Sequence, residues 1–161
     1  MDVVVKRADK KGKGVFALRD FNKGETILRY KKSKVFRDSE APKVWKGKFR
    51  YLDRVGKSSY MVMQPPERFI NHSCSPNVYI KNWKIIAMKS IKKGEELVFD
   101  YSINNDFPVT FRCKCGSKSC RGLYSQSFFK LPKALQKKYL PYLDTWFRRL
   151  YRKEIGKLKQ N

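Results

Sequence analysis

The hydrophobic positions in about the first hundred residues form short runs that are separated by turns. Apolar or β-branched runs occupy residues 3–5, 15–18, 26–30, 49–52, 59–63, 78–80, 84–88 and 97–101. Two similar turns, Asn22-Lys23-Gly24-Glu25 and Lys92-Lys93-Gly94-Glu95, precede two of these runs. Short runs with frequent glycine or asparagine turns are typical of small β-sheets. The pattern therefore predicts a mainly β fold made of several small sheets.

The last thirty or so residues follow a different pattern. Pro132 stands where a helix would begin, and Pro141 is expected to kink or split that helix. Residues 130–161 carry ten Lys or Arg and two Asp or Glu. We expect a basic helical tail over residues 126–161 whose apolar stripe packs on the domain, with binding of nucleic acid, a membrane surface or a partner as the alternative. The stripe has helical spacing and consists of Leu135, Tyr139, Leu143, Trp146, Phe147 and Leu150.

Composition and charge narrow the class of protein. The chain has 161 residues, of which 41% are hydrophobic, so it is long enough for one domain with a real core. No apolar run is long enough to span a bilayer. The formal net charge of +24 predicts DNA or RNA as a partner of the basic surface and tail, with solubility alone as the other explanation. A chain with this charge would repel a basic substrate protein, unless the groove that binds the substrate is locally acidic or a nucleic acid binds the chain and its substrate together.

The four cysteines predict a metal centre. Cys113, Cys115 and Cys120 follow the spacing C-x-C-x4-C, and Cys74 lies upstream. Together they offer the four thiolates of a closed, structural Zn²⁺ site. Two disulfides or unligated cysteines are the alternatives. The N-terminus lacks the features of a signal peptide, and a Cys113–Cys115 bond would close a very tight ring, so we favour zinc.

Three motifs carry a resemblance to a known family. They are RFINHSCSPN at residues 68–77, GEELVFDY at 94–101 and CKCGSKSCRG at 113–122. Together they resemble the SET-domain protein lysine methyltransferases that have a post-SET zinc segment, over roughly residues 3–123. The resemblance implies a SET-type fold of short curved sheets with a knot-like C-terminal segment. It implies a catalytic domain at 1–106, a zinc-binding segment at 107–125 and the helical tail at 126–161.

The resemblance also implies which residues form the lysine channel. Tyr101 matches the catalytic tyrosine of the family, and Tyr30 matches a second channel tyrosine. The glycine that usually follows the latter is missing, because Lys31 and Lys32 come next. Phe99 faces the same side of a strand as Tyr101 and occupies a position that is phenylalanine or tyrosine in the family. Phenylalanine there implies dimethyl or trimethyl product.

S-adenosylmethionine is the cofactor that the resemblance implies. Asn71 would contact its amino-acid portion, and His72 would contact the adenine mainly through its backbone. Tyr51 resembles a cofactor contact, although Asp53 replaces an aromatic residue of that motif. No acidic partner for His72 is recognisable, so we do not assign it as a general base. The remaining predicted cofactor residues are the turn formed by Lys11, Gly12 and Lys13, the flanking Arg68 and Phe69, and Tyr101.

The sequence thus predicts S-adenosylmethionine-dependent methylation of a protein lysine. We expect the substrate to be a histone or a nucleoid or ribosomal protein, and we expect an intracellular location, in a nucleus or nucleoid or in the cytoplasm. The alternative is a catalytically inactive, zinc-stabilised module that binds chromatin or nucleic acid.

Overall fold

Short β-strands are the commonest regular elements of the computed structural model, which describes residues 1–31, 33–40 and 51–160. They confirm the predicted mainly β fold with a C-terminal helical part. The run at 49–52 differs from its prediction, because its strand begins only at Leu52 and residues 49 and 50 lie outside the described residues. The strands are β1 (Val3–Arg7), β2 (Lys13–Ala17), β3 (Thr26–Arg29), β4 (Val35–Arg37), β5 (Leu52–Gly56), β6 (Ser59–Val62), β7 (Asn71–His72), β8 (Val78–Lys81), β9 (Lys84–Ala87), β10 (Glu96–Phe99), β11 (Asp106–Arg112) and β12 (Leu123–Ser127).

The strands form four small sheets. Their orders are β1-β2-β10-β7, β3-β9-β8, β4-β6-β5 and β11-β12. The pairs are antiparallel except for β10 and β7, which run parallel with Val98 opposite Asn71 and Phe99 opposite His72. This parallel pairing brings two motifs that are far apart in the sequence side by side.

Apolar residues of three sheets meet in the main core. Val15 on β2, Ile85 on β9 and Leu97 on β10 are fully buried there, and Met61 on β6 joins them. Each strand contributes only one or two such side chains, because alternate residues face opposite sides of a sheet. The core therefore depends on many short strands converging on one volume.

The tail folds into three short helices, α1 (Lys133–Tyr139), α2 (Thr145–Leu150) and α3 (Arg152–Gln160). Pro132 caps α1, and Pro141 lies in the 3-10 turn Leu140–Tyr142 that separates α1 from α2, so the predicted split is confirmed. None of the described helices combines the length and apolar character that crossing a membrane requires. The tail's apolar residues and Ile103 of the preceding part of the chain form a second core. Its members are Ile103, Phe128, Leu131, Tyr139, Leu143, Phe147, Ile155 and Leu158.

Candidate active site

The four cysteines converge on one point, although Cys74 is 39 positions before Cys113. Their sulfur atoms all lie within 4.8 Å of one another, and the Cys74 and Cys113 sulfurs are 3.6 Å apart. Tetrahedral zinc with Zn–S bonds of about 2.3 Å would place its ligands about 3.8 Å apart. The cluster could therefore hold a metal ion of that kind.

His72 connects this cluster to Tyr101. Its Nε2 atom is 3.5 Å from the Cys74 sulfur, and its Nδ1 atom accepts a hydrogen bond of 3.2 Å from the Tyr101 backbone. Burial lowers the pKa of His72 to about 4, so the ring is neutral and can accept at Nδ1. The ring also stacks on Tyr124 with centroids 4.1 Å apart. The side chain is thus a structural link, which adds to the backbone role that the resemblance implied.

A buried ion pair joins three regions next to Tyr101. Asp100 is fully buried and accepts two hydrogen bonds, of 2.6 and 2.9 Å, from the guanidinium of Arg121. The hydroxyl of Tyr139 in α1 approaches the same carboxylate at 3.4 Å. Asp100 also lies 3.8 Å from His72 Nδ1, which gives that histidine the acidic neighbour that the sequence did not reveal. The motif GEELVFDY contained Asp100, but only the fold shows its partners.

Phe99 lies between the other two predicted channel residues, because its ring packs on Tyr101 and it lines one cavity together with Tyr30. The rings of Tyr101 and Phe99 are 4.8 Å apart, and the Tyr101 hydroxyl donates a hydrogen bond of 2.9 Å to the carbonyl of Ile70. Tyr30 is buried, with its hydroxyl 3.6 Å from the sulfur of Met63. Burial raises the pKa of both tyrosine hydroxyls well above the usual value, so both stay protonated.

Glu96 organises the predicted cofactor residues, although the sequence did not single it out. Its carboxylate accepts hydrogen bonds of 2.8 Å from Lys11 Nζ and 2.7 Å from Asn71 Nδ2. Asn71 Nδ2 also lies 3.0 Å from the carbonyl oxygen of Lys13. A Cβ on Gly14 would come within 2.8 Å of the Glu96 carboxylate, so glycine is needed for this close approach.

An open groove of about 730 Å³ runs beside this network. Gly12, Lys13, Arg68 and Phe69 line it, so four of the predicted cofactor residues share one surface. Arg68 lies 5.0 Å from the ring centres of Phe69 and Tyr51, which places Tyr51 next to the groove without lining it.

Phe99 lines a second cavity, of about 280 Å³. It is bounded by β5, the β8–β9 turn and α2, and it contains Tyr30 and Phe99 but none of the predicted cofactor or metal residues. No sequence motif connects its other residues. Asp53 was the one of these residues that the sequence marked as unusual, because the resemblance implies an aromatic residue at that position.

Comparison with known proteins identifies the family. The SET domain profile matches residues 12–102. The variant-silencing SET domain-containing protein of Plasmodium falciparum is 33% identical over 145 residues, which cover 74% of this chain and 5% of that protein. The H3 lysine-36 specific histone-lysine N-methyltransferase of Eremothecium gossypii is 31% identical over 144 residues, covering 75% and 20%. The histone-lysine N-methyltransferase ASHH3 of Arabidopsis thaliana is 31% identical over 133 residues, covering 71% and 36%.

The chain spans only a fraction of the length of these relatives, 36% of ASHH3 and 5% of the Plasmodium protein. The match to the SET domain covers more than half of the present chain, and the three motifs lie within or beside it. On this evidence the chain belongs to the SET-domain family.

Proposed function

We propose that this chain is an S-adenosylmethionine-dependent protein-lysine N-methyltransferase with one structural zinc ion. The observation that best supports this proposal is the parallel pairing of β7 and β10. It sets Asn71 and His72 beside Val98 and Phe99, and the Tyr101 hydroxyl binds the carbonyl of Ile70. The residues predicted to bind the cofactor thus lie next to those predicted to form the lysine channel. The proposal divides the chain into a catalytic domain at 1–106, a zinc segment at 107–125 and the tail at 126–161.

The groove beside Glu96 suits the cofactor. Phe69 offers a flat apolar face, Gly12 keeps the turn free of a side chain at a φ of 81°, and Lys11 and Asn71 are held in place by Glu96. S-adenosylmethionine, when bound, supplies a methyl group on a positively charged sulfur. Lys11, Gly12, Lys13, Tyr51, Arg68, Phe69, Asn71, His72 and Tyr101 are the residues that we propose hold it.

The cysteine cluster suits zinc because four thiolates complete its preferred coordination. No coordination position would remain for water, so the metal would be structural. Cys74, Cys113, Cys115 and Cys120 are the proposed ligands. The Arg121 backbone N–H lies 3.4 Å from the Cys74 sulfur, a contact that would favour the thiolate form.

The channel residues would prepare the lysine amine. Free lysine has a pKa of about 10.4, and the neutral form is the nucleophile. Apolar and aromatic walls disfavour the charged form, and Phe99 and Tyr101 are such walls. The Tyr101 hydroxyl donates its proton to Ile70, so its oxygen is free to accept a hydrogen bond from the amine. Tyr30 is the second hydroxyl of the channel, and alignment then supplies most of the rate.

The relatives suggest the substrate class. Two of them are named histone-lysine N-methyltransferases, one of them specific for H3 lysine 36. We propose that this chain methylates a histone or another basic protein associated with nucleic acid, and that it acts at chromatin. Phe99 lacks the hydroxyl that could hold a water molecule in the space of a methylated amine, so we propose dimethyl or trimethyl product.

Replacing Tyr101 tests the proposal. Tyr101→Phe removes one hydroxyl and should lower methyl transfer from labelled S-adenosylmethionine to core histones by about a hundredfold or more. Tyr142→Phe makes the same change on the tail and is the matched control. Methyl transfer by Tyr101→Phe within twofold of wild type would contradict the assignment. Cofactor binding by wild type without any transfer would instead favour the inactive binding module.

We also propose that the tail binds nucleic acid, because nine of its ten Lys and Arg side chains at 130–160 are exposed and only Arg148 is partly buried. Deleting residues 130–161 would expose the second core, so charge changes are the better test. Lys133→Gln combined with Lys153→Gln should weaken DNA or RNA binding and reduce its dependence on salt. Unchanged binding would leave solubility as the explanation of the tail's charge.

A further inference from the structure

Glu67 is a buried acidic residue to which the site described above gives no role. It is only 2% exposed, and its Oε1 atom accepts a hydrogen bond of 3.0 Å from the backbone N–H of Lys31. Its other carboxylate oxygen, Oε2, is buried and has no hydrogen-bond partner among the described residues. Burying a carboxylate oxygen without a partner is costly, so this oxygen points to an interaction that the chain alone does not provide.

No cation of the described part of the chain forms an ion pair with Glu67. Arg68 follows it directly, but the Arg68 guanidinium lies 5.0 Å from the ring centre of Phe69, along the cofactor groove. Glu96, on the same side of the site, is by contrast paired with Lys11 at 2.8 Å. The negative charge of Glu67 is therefore left without a partner beside a groove that is otherwise basic.

Glu67 belongs to the turn that separates the cofactor groove from Tyr101. It begins a short 3-10 turn, and the next two residues, Arg68 and Phe69, line the groove. The Ile70 N–H donates a hydrogen bond of 3.1 Å to the Glu67 carbonyl, and the Ile70 carbonyl accepts the hydroxyl of Tyr101. The groove and the Tyr101 hydroxyl are thus on two sides of the same turn.

The carboxylate of Glu67 also lies close to Tyr30. The N–H that it binds belongs to Lys31, the residue that follows Tyr30. Burial raises the pKa of the Tyr30 hydroxyl, and the charges of Asp53 and Glu67 raise it further. Asp53 lines the second cavity together with Tyr30, whereas Glu67 lines neither that cavity nor the groove. The Glu67 charge is therefore enclosed in the protein between the two.

The proposed function puts a positive charge at this boundary. S-adenosylmethionine in the groove supplies a methyl group on a positively charged sulfur, which has to face the amine near Tyr101. In the transfer the S–C bond breaks and the N–C bond forms, so the positive charge moves to the amine nitrogen and the sulfur becomes a neutral thioether. A carboxylate enclosed nearby favours the charged sulfur over the neutral one, because charges interact strongly where water is excluded.

We propose that Glu67 makes the groove select positively charged S-adenosylmethionine over its neutral product, S-adenosylhomocysteine. The inference rests on the proposed methyltransferase function. Lys13 and Arg68 line the groove in a chain of net charge +24, so the other charges there disfavour a cationic cofactor. Glu67 acts through its charge and is a specificity-determining residue. The product loses this attraction once the methyl group has left, so it is released more readily.

Binding of the two cofactor forms, without any protein substrate, tests the proposal. Isothermal titration calorimetry measures the Kd of S-adenosylmethionine and of S-adenosylhomocysteine. Glu67→Gln keeps an oxygen for the Lys31 N–H and removes the charge. The ratio of the S-adenosylhomocysteine Kd to the S-adenosylmethionine Kd should fall about five- to tenfold in this variant. Glu154→Gln makes the same change at an exposed position of α3 and should leave the ratio unchanged.

Glu67→Asp separates the charge from the contact with Lys31. Aspartate keeps the charge on a side chain one methylene shorter, so this variant should keep most of the preference while the contact weakens. A residue that only held Lys31 would give the reverse, with an unchanged ratio in Glu67→Gln and weaker binding of both cofactor forms in Glu67→Asp. Melting temperatures show whether each variant is folded.

Two results would overturn the inference. One is a ratio in folded Glu67→Gln within twofold of wild type. The other needs no variant: a wild-type protein that binds S-adenosylhomocysteine at least as tightly as S-adenosylmethionine does not select the charged form.

The outcomes separate this inference from the proposed function. Methyl transfer by wild type, together with an unchanged ratio in Glu67→Gln, would overturn the role of Glu67 alone. A preference for S-adenosylmethionine that depends on Glu67, in a protein that transfers no methyl group, would uphold that role and overturn the methyltransferase proposal.

Discussion

The two sides of the Phe99–Tyr101 strand end differ in how their charges are arranged. On the cofactor and cysteine side, Glu96 is bound by Lys11 and Asn71, and Asp100 is bound by Arg121. On the cavity side, Asp53 has no cationic partner among the described residues and Trp83 lies in a strained turn. Satisfied groups hold a site in shape, whereas costly ones on the same surface indicate a ligand. The first side is held by paired charges, whereas the second keeps a carboxylate without a cationic partner among the described residues.

The largest expected effect comes from removing one ligand of the four-cysteine cluster. Cys113→Ser removes one of the four thiolates and should abolish stoichiometric zinc binding, because a structural site needs all its ligands. Elemental analysis and thermal unfolding should show metal loss together with a melting temperature about 10 °C or more lower. Ser119→Ala, in the same segment, is the control. A metal-free wild-type protein with full activity would contradict the assignment of zinc.

A smaller but still large effect is expected from the buried ion pair. Asp100→Asn leaves the guanidinium of Arg121 without its charged partner and should lower the free energy of unfolding by about 3–5 kcal/mol. Asp20→Asn removes the same charge from the exposed pair with Lys92 and should cause no measurable change. Urea unfolding measures both variants. Equal free energies of unfolding for Asp100→Asn and Asp20→Asn would show that the buried ion pair of Asp100 does not stabilise the fold more than the exposed pair.

Removing the carboxylate of Asp53 should raise the stability of the protein, whereas removing that of Asp100 should lower it. The pKa of Asp53 is raised from 3.8 to about 6, so its folded form retains a proton where the unfolded chain has lost it. Wild type therefore loses stability as the pH rises from about 4 through about 6, and the full cost is present above that range. Asp53→Asn should raise the melting temperature by about 3–6 °C near pH 8 and hardly at all near pH 4. A lower melting temperature near pH 8 would indicate a structural role.

The smallest structural change tests the residue that both sides share. Phe99→Tyr adds one hydroxyl next to Tyr101 and inside the cavity, and stability should change by less than about 1 kcal/mol. The product should shift toward monomethyl-lysine, because the added hydroxyl can hold a water molecule where a methylated amine must turn. Mass spectrometry after long reaction times measures the product. A wild type that stops at monomethyl-lysine would make this interpretation of Phe99 wrong.

Much of the fold could be predicted because its information is local. Glycine turns and short apolar runs marked the strands, and Pro141 marked the break between α1 and α2. The metal cluster followed from cysteine spacing, since ligand chemistry restricts which residues can serve. Cys74 is far from the other three in the sequence, and the structure brings all four sulfur atoms within 4.8 Å of one another.

The sequence by itself determined the family through three contiguous motifs and the strand-rich class through its short apolar runs. The roles assigned to the residues around the Tyr101 hydroxyl stay predictions. Only the tertiary structure decided the partners of Asp100, the role of Glu96 and the cavity formed by Asp53 and Trp83. The ion pair of Asp100 with Arg121 and the cavity of β5, the β8–β9 turn and α2 bring together residues that no spacing rule connects. The burial of a charge and the strain of a turn exist only in the folded chain, so the sequence could mark a residue such as Asp53 as unusual but could not give its surroundings.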